Sequence, residues 1–248
     1  MRIYRILTTV MFLLGFSFSA LASEAEFSSA KLDRHGKYTL VLPASPLPKN
    51  TRLLAYFHGA GGGPHYTSQL NELTRAATAY KMALILIQAP NGARSWAEPG
   101  PGSGLRHVDY VNSLLEEKVY NVYKELSRQR TVFVGWSAGS TFISGDFLPS
   151  QVGKYQGGAV LLCGGGPPVL PTLPENSLPI LPPTKSGFKI FYYILGGDFL
   201  ARQTMEGVVY WRNRGLTVSG EHPRGAGHCA FDLDKTLEQG LQYVLGAP

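Results

Sequence analysis

The sequence predicts an α/β fold with a mostly parallel central sheet and helices on both faces. Two observations carry this prediction: short runs that are almost continuously apolar, and helix-like segments between most of them. Continuous apolar runs are typical of strands that are covered on both faces, as in parallel sheets. At 248 residues, with no internal repeat or dividing linker, the chain fits one large α/β domain. The apolar runs span residues 53–57, 83–87, 131–134, 158–163 and 188–195.

The other elements follow from the periodicity of the intervening segments. Residues 37–43 alternate between apolar and polar side chains, which predicts a half-buried antiparallel edge strand, and residues 216–221 are predicted to form the last strand. The clearest helix is predicted over residues 105–126, where apolar side chains recur at steps of three and four. Strand–helix alternation of this kind implies right-handed crossovers. Further helices are predicted over residues 69–81, 201–212 and 232–245. The apolar stripe of the clearest helix consists of Val108, Val111, Leu115, Val119, Val122 and Leu126.

The N-terminus has the pattern of a secretory signal peptide. Two arginines precede an apolar core at residues 6–18, and Ala20-Leu21-Ala22 offers a small-residue cleavage site. An uncleaved membrane anchor is the alternative, but the apolar run is short for spanning a bilayer. We therefore expect a signal peptide over residues 1–22 and a single catalytic domain over residues 23–248. The mature protein is expected to be secreted or periplasmic, without a stable membrane span.

The composition excludes several classes of protein. With 44% hydrophobic and 16% charged residues, the chain can bury a full core and is not a disordered polyelectrolyte. Its formal net charge is +6, but no cluster of Lys and Arg is long enough for a nucleic-acid groove, so no nucleic-acid partner is expected. Cys163 and Cys229 do not fit a metal-site spacing, so no metal is expected.

The segment Gly135-Trp136-Ser137-Ala138-Gly139 carries the strongest functional signal. It matches the G-x-S-x-G nucleophile elbow and lies where that motif requires, between an apolar run and a helix-compatible stretch over residues 140–147. A side chain at either glycine would collide with the neighbouring strand and helix, and the strained turn would present the serine hydroxyl to a substrate. Ser137 is therefore the candidate nucleophile.

A serine nucleophile needs an imidazole as its base and a carboxylate that orients the imidazole. His228 lies in a glycine-rich loop after the last predicted strand, whereas its competitor His222 precedes a proline at a strand end and is interpreted as structural. Asp198 follows a predicted strand and a Gly-Gly turn, which places it at the carboxyl end of the sheet. Asp232 and Asp234 are interpreted as acids at the start of the final helix. The order serine, aspartate, histidine is that of α/β-hydrolases.

An oxyanion loop is predicted directly after the first buried strand. Residues 58–63, His-Gly-Ala-Gly-Gly-Gly, match the H-G-G-G type of loop with an alanine replacing one glycine. The expected donors to the oxyanion are the backbone N–H groups of Ala60 and Ala138. His58 is interpreted as a residue that stabilises the loop. The alternative, a flexible turn or a phosphate loop, lacks the terminal Lys-Ser/Thr of a P-loop.

Three aromatic residues are predicted to line the acyl or alcohol pocket. Trp136 is adjacent to the nucleophile, Trp96 lies in a loop at the same sheet edge, and Tyr66 follows the oxyanion loop. The alternative is that both tryptophans only pack in the core.

The two cysteines and a proline-rich segment are predicted to lie near the loops that carry the candidate catalytic residues. A disulfide between Cys163 and Cys229 is expected to brace the histidine loop, because both cysteines lie near the carboxyl edge and an exported protein meets an oxidising compartment. Two buried free thiols are the alternative. The dense prolines of residues 164–187 predict either a long surface crossover or a flap on the active-site rim.

Together these motifs resemble the α/β-hydrolase superfamily and, within it, the secreted esterases of the polyhydroxybutyrate depolymerase and feruloyl esterase type. The resemblance spans residues 37–245 and also uses Arg94-Ser95-Trp96 and the helix that carries Asp109. The proline-rich segment departs from that pattern. The resemblance implies an α/β-hydrolase fold and hydrolysis of small-molecule or polymeric carboxylic esters by Ser137, His228 and Asp198, with no cofactor.

Other functions remain open on the same motifs. The same triad supports acyl transfer or peptidase activity, and a non-catalytic binding module on a hydrolase scaffold is the alternative from another class. An intact triad together with an oxyanion loop argues against a pure binding role. The oligomeric state is not predicted.

Overall fold

The computed structural model describes residues 21–29, 32–43, 46–62, 66–90, 92, 95–96, 103–168 and 187–248. Within these ranges eight strands form one sheet. In chain order the strands are β1 (Leu21–Ser29), β2 (Arg34–Leu42), β3 (Leu53–Phe57), β4 (Ala83–Ile87), β5 (Val132–Trp136), β6 (Gly158–Leu162), β7 (Lys189–Tyr193) and β8 (Thr217–Glu221). The α-helices are α1 (Leu70–Ala79), α2 (Ser103–Leu114), α3 (Ala138–Phe142), α4 (Leu148–Gln151), α5 (Ala201–Asn213) and α6 (Leu233–Leu245).

The strands are arranged in the order β1-β2-β4-β3-β5-β6-β7-β8. β2 is antiparallel to both β1 and β4, and every other pair is parallel. The predicted mostly parallel sheet is thereby confirmed. The carboxyl ends of the parallel strands lie at one edge, which is where open α/β sheets place their sites.

Helices cover both faces of the sheet, as predicted. Residues of one strand alternate between two cores: Leu53, Ala55 and Phe57 face one core, and Leu54 and Tyr56 face the other. Because both faces are buried, these strands read as continuous apolar runs. The first core takes Val108 and Val111 of α2, Phe142 of α3, and Val208 and Trp211 of α5. The second takes Leu73 and Ala77 of α1, and Leu237 and Leu241 of α6.

The first strand, β1, is not predicted by the sequence. It lies at the edge of the sheet, pairs only with β2, and buries Phe27 while most of its other described side chains remain at least partly exposed. A strand that is fixed by backbone pairing at an edge leaves little hydrophobic pattern to detect. β1 begins at Leu21, so its first two residues fall within the predicted signal peptide, of which residues 1–20 lie outside the described ranges.

The helix predicted over residues 105–126 extends further than the observed helix, in which α2 ends at Leu114. α2 is followed by one wider turn over Leu115–Tyr120, in which the Asn121 amide bonds the Glu116 carbonyl five residues back, and the chain then leaves the helix. A wider turn rotates later residues off the apolar stripe. Val122 is consequently 57% exposed, and Leu126 pairs with Thr51 in an isolated bridge. No helix in the described ranges has the length and apolarity needed to cross a membrane.

Candidate active site

Ser137 occupies a strained turn between β5 and α3. Its backbone has φ 51° and ψ −113°, in the left-handed half of the map that residues with a side chain rarely adopt. The flanking glycines make this turn possible. A Cβ on Gly135 would come within 2.5 Å of the Ser140 backbone, and one on Gly139 within 2.1 Å of the Phe57 carbonyl oxygen. The structure thus has the close approaches to helix and strand that the motif predicts.

The end of β6 fixes the turn in place. The Leu162 carbonyl accepts hydrogen bonds from the Ser137 amide at 2.9 Å and from Ser140 Oγ at 2.9 Å. Ser140 Oγ in turn accepts from the Leu162 amide at 2.9 Å. These buried bonds tie the first turn of α3 to the sheet, so the backbone of Ser137 is held without help from the other candidate catalytic residues.

The structure brings the three predicted triad residues into one hydrogen-bonded line. Ser137 Oγ lies 2.7 Å from His228 Nε2, and His228 Nδ1 lies 3.0 and 2.9 Å from the two carboxylate oxygens of Asp198. An ionised carboxylate only accepts hydrogen bonds, so Nδ1 donates to Asp198. Nε2 is then free to accept the serine proton, which is the arrangement a general base requires.

Asp198 is buried and accepts hydrogen bonds from His228 and from two backbone amides. Its side chain is fully buried, and its oxygens also accept hydrogen bonds from the Leu200 amide at 2.9 Å and the Cys229 amide at 3.3 Å. The competing acids are engaged elsewhere: Asp232 caps α6 by accepting from the Lys235 amide, and Asp234 bonds an arginine of α1. The buried Asp198 is therefore positioned to orient the imidazole.

The acid and histidine loops are held together by an extension of the sheet. Beyond β7 and β8, the Gly196 amide bonds the Pro223 carbonyl at 2.9 Å and the Gly197 amide bonds the Gly225 carbonyl at 2.7 Å. A Cβ on Gly197 would lie 2.8 Å from the Gly225 oxygen, so this approach requires glycine. Asp198 and His228 thus follow strand ends that remain paired up to the site.

A disulfide joins Cys163 to Cys229, with their Cα atoms 5.2 Å apart. β7 lies between β6 and β8, so the loops after β6 and β8 bend over its end to meet. Both cysteines have positive φ, 45° and 55°, at these bends. Although Cys163, His228 and Cys229 cluster within 4.8 Å, the bonded sulfurs offer no thiolate to a metal.

The two predicted oxyanion donors line one cavity together with Ser137. The Ala138 amide belongs to the first turn of α3, where N–H groups have no partner within the helix. Neither it nor the Ala60 amide donates a hydrogen bond to another described residue. Both are available to a developing negative charge beside the nucleophile.

His58 stabilises the oxyanion loop, as predicted. It is 1% exposed, its Nε2 accepts from the Ala89 amide at 3.0 Å, and its Nδ1 donates to the Gly59 carbonyl at 2.7 Å. Burial lowers the pKa of His58, and the bond to Gly59 opposes this only in part. A Cβ on Gly62 would lie 2.0 Å from Nδ1, so the loop folds around a neutral imidazole.

Two cavities open beside Ser137. The histidine-side cavity, about 190 Å³, is lined by His228, Trp136, His58, Ala60, Ser68 and Gln69. The helix-side cavity, about 260 Å³, is lined by Ala138, Thr141, Phe142, Asp146, Phe199 and Gln203. Only the first is lined by the imidazole, so the two cavities meet different parts of a bound substrate.

The aromatic predictions have mixed outcomes. Trp136 lines the histidine-side cavity and packs on Phe231. Trp96 contributes to the helix-side cavity but is fully buried and stacks on Phe142, so it also packs in the core. Tyr66 lines neither of the two cavities. The residue is 3% exposed, and its hydroxyl bonds Thr39 and Glu24 on the edge strands.

Several cavity residues are missed by sequence reasoning. Asp146 is given no role in the site by the sequence analysis, yet it lines the helix-side cavity. The available signal is a lone acid among the apolar side chains after the nucleophile. Phe199 is 76% exposed and packs against the His228 ring at 4.6 Å. Of the proline-rich segment, residues 169–186 lie outside the described ranges, and the predicted flap falls mainly on them.

Comparison with known proteins identifies the fold. No family model and no curated sequence matches the chain. Among solved structures, FphF, a fluorophosphonate-binding serine hydrolase of Staphylococcus aureus, is 16% identical with a TM-score of 0.65, covering 91% of this chain and 98% of that one. A carboxylesterase of Bacillus cereus is 18% identical with a TM-score of 0.63, covering 86% and 95%. A ferulic acid esterase is 16% identical with a TM-score of 0.64, covering 92% and 98%. The chain therefore has the α/β-hydrolase fold of these enzymes.

Proposed function

We propose that the protein is a serine hydrolase that cleaves carboxylic esters through an acyl-enzyme. The observation that carries this proposal is the unbroken hydrogen-bonded line from Ser137 Oγ through His228 to the buried Asp198. The similar solved structures, which are esterases and a serine hydrolase, support ester substrates. A binding module would need neither the strained nucleophile nor the unpaired amides beside it.

In the proposed mechanism each residue has one task. Ser137 Oγ attacks the ester carbonyl carbon while His228 Nε2 takes the serine proton, and Asp198 stabilises the imidazolium that forms. The Ala60 and Ala138 amides donate to the oxyanion, each such donor being worth about 3 kcal/mol of barrier in enzymes of this type. When the C–O bond breaks, His228 returns the proton to the departing alkoxide. Water, deprotonated by His228, then attacks the acyl-enzyme and releases the acid and free Ser137.

The alcohol and acyl parts of the ester are proposed to bind in different cavities. The departing alkoxide must lie beside the imidazole that protonates it, and His228 lines only the histidine-side cavity. The acyl group, attached to Ser137 between the two amides, extends into the helix-side cavity. The histidine-side cavity is therefore assigned to the alcohol and the helix-side cavity to the acyl chain.

We also propose that the protein is exported from the cytosol. A disulfide beside the catalytic histidine is suited to an oxidising compartment and would not persist in a reducing cytosol. Together with the signal-like N-terminus, this supports a secreted or periplasmic enzyme.

Hydrolysis of p-nitrophenyl acetate and labelling by a fluorophosphonate test the proposal. The wild type is expected to release p-nitrophenol and to gain one covalent adduct on Ser137, because only an activated serine reacts with the probe. Ser137→Ala should lose the adduct and several orders of magnitude of turnover. Ser150→Ala, at an exposed serine on α4, is the matched control and should retain both. An unlabelled wild type would indicate a non-catalytic role.

A further inference from the structure

Asp146 is an acid that the triad mechanism does not use. It lies in the wider helical turn over Ile143–Phe147 that continues α3, and it lines the helix-side cavity assigned above to the acyl chain. It is the one ionisable side chain among the described residues that line this cavity.

The carboxyl group of Asp146 is largely removed from water. Among the described residues, none forms a hydrogen bond or an ion pair with it. Burial alone raises its pKa from 3.8 to about 6. At neutral pH it is still mainly ionised, so the cavity carries a negative charge that no described residue compensates. Proteins normally pair such charges, because an isolated one is costly to bury.

Among the described residues that line the cavity with Asp146, none carries a positive charge that could pair with the carboxylate. Phe142 and Phe199 are apolar, while Thr141 and Gln203 are neutral. None of these side chains can neutralise a carboxylate, whereas the cavity of about 260 Å³ connects it to Ser137. A bound molecule that brings a positive charge would be stabilised there more than one that brings only methylene groups.

The position along the helix sets the length of the chain that reaches Asp146. Ala138, Phe142 and Asp146 recur at steps of four and line the same cavity. Asp146 is eight residues beyond Ala138, at most about 12 Å along the axis, the rise that eight residues have in a regular α-helix. Helical side chains tilt toward the N-terminus, which brings the carboxylate back toward the nucleophile. An acyl chain of medium length therefore spans the gap.

We propose that Asp146 determines substrate specificity by binding a protonated amine at the far end of the acyl chain, so that ω-amino acyl esters are the preferred substrates. This inference rests on the proposed ester hydrolysis at Ser137. A hydroxyl at the same place would also donate a hydrogen bond. The ammonium is favoured because charge-assisted hydrogen bonds are roughly twice as strong as neutral ones.

Three p-nitrophenyl esters of equal chain length test the inference: ω-aminohexanoate, ω-hydroxyhexanoate and hexanoate. For the wild type at neutral pH, kcat/KM is expected to be about 10–100-fold higher for the amino ester than for hexanoate, the range of one charge-assisted hydrogen bond. The hydroxy ester should fall between them. In Asp146→Asn the preference for the amino ester over hexanoate should fall close to one. Asp109→Asn, which changes an exposed acid on α2, is the matched control and should retain the preference.

Inhibition of the wild type provides a readout that needs no variant. Hexylammonium should inhibit hexanoate hydrolysis competitively at a lower concentration than hexanol does. Equal inhibition by the two, no preference for the amino ester in the wild type, or a preference that survives in Asp146→Asn would each overturn the assignment of Asp146. Ester hydrolysis at Ser137 would stand in all three cases. Failure of the wild type to hydrolyse any of the esters would instead refute the proposed function.

Discussion

Replacing Asp146 with Asn should stabilise the folded protein at neutral pH. Burial raises the pKa of Asp146 from 3.8 to about 6, so the folded state binds this proton more tightly than the unfolded state. The free energy of unfolding therefore falls as the pH rises from about 4 to about 6, and the loss persists at higher pH. A shift of about two pH units corresponds to about 3 kcal/mol. Since part of the carboxyl remains accessible, we expect about 2–3 kcal/mol.

Thermal unfolding measured across a pH series provides the assay. For a domain of this size, the expected stabilisation corresponds to a rise of roughly 4–12 °C in Tm at pH 7–8. Near pH 4 the carboxyl is neutral in both states, and the wild type and Asp146→Asn should unfold at similar temperatures. Asp109→Asn should follow the wild type throughout. Equal Tm values for the wild type and Asp146→Asn at pH 8 would refute the claim that this charge is buried and unpaired.

Two further predictions concern the acid and the disulfide. Asp198→Asn should lower kcat by about 10⁴-fold, because an amide that donates to Nδ1 leaves the proton on Nε2; near-normal p-nitrophenyl acetate turnover would move the acid role to Asp232 or Asp234. Replacing Cys163 and Cys229 together with Ser should lower the free energy of unfolding in urea by up to about 4 kcal/mol. That loss should appear only against the oxidised wild type; a double variant as stable as the oxidised protein would contradict it.

The nucleophile, base and acid could be predicted because each lies in the loop that follows a predicted strand. Continuous apolar runs identify parallel strands, and the carboxyl ends of parallel strands share one edge. Ser137 and Asp198 each follow such a run within a few residues, and His228 follows the last predicted strand, residues 216–221, so the topology places all three at one edge. The structure finds the three side chains in hydrogen-bonding order. The need for glycine at positions 135 and 139 could also be predicted, because a side chain at either position would collide with a neighbouring helix or strand.

The cavity could not be predicted, because its walls come from elements that are distant in sequence. Thr141 and Asp146 follow the nucleophile, whereas Phe199 and Gln203 belong to the loop and helix after β7. Which side of α3 faces them depends on how α5 packs on the sheet. Tyr66 illustrates the same limit: its hydroxyl is directed by Glu24 on β1, a strand whose pairing leaves little trace in the sequence.

The nucleophile and the imidazole are held in place by different sets of contacts. The nucleophile is fixed by the bonds between Leu162 and the start of α3, which involve neither loop of the acid and base. The imidazole is positioned by Asp198, by the extended pairing of the two loops and by the disulfide at Cys229. Loss of the disulfide would therefore act on proton transfer, through the orientation of His228, and leave the strained serine turn intact. Such a change would leave Ser137 in its strained turn but reduce its reactivity, because a misoriented imidazole takes the serine proton less efficiently.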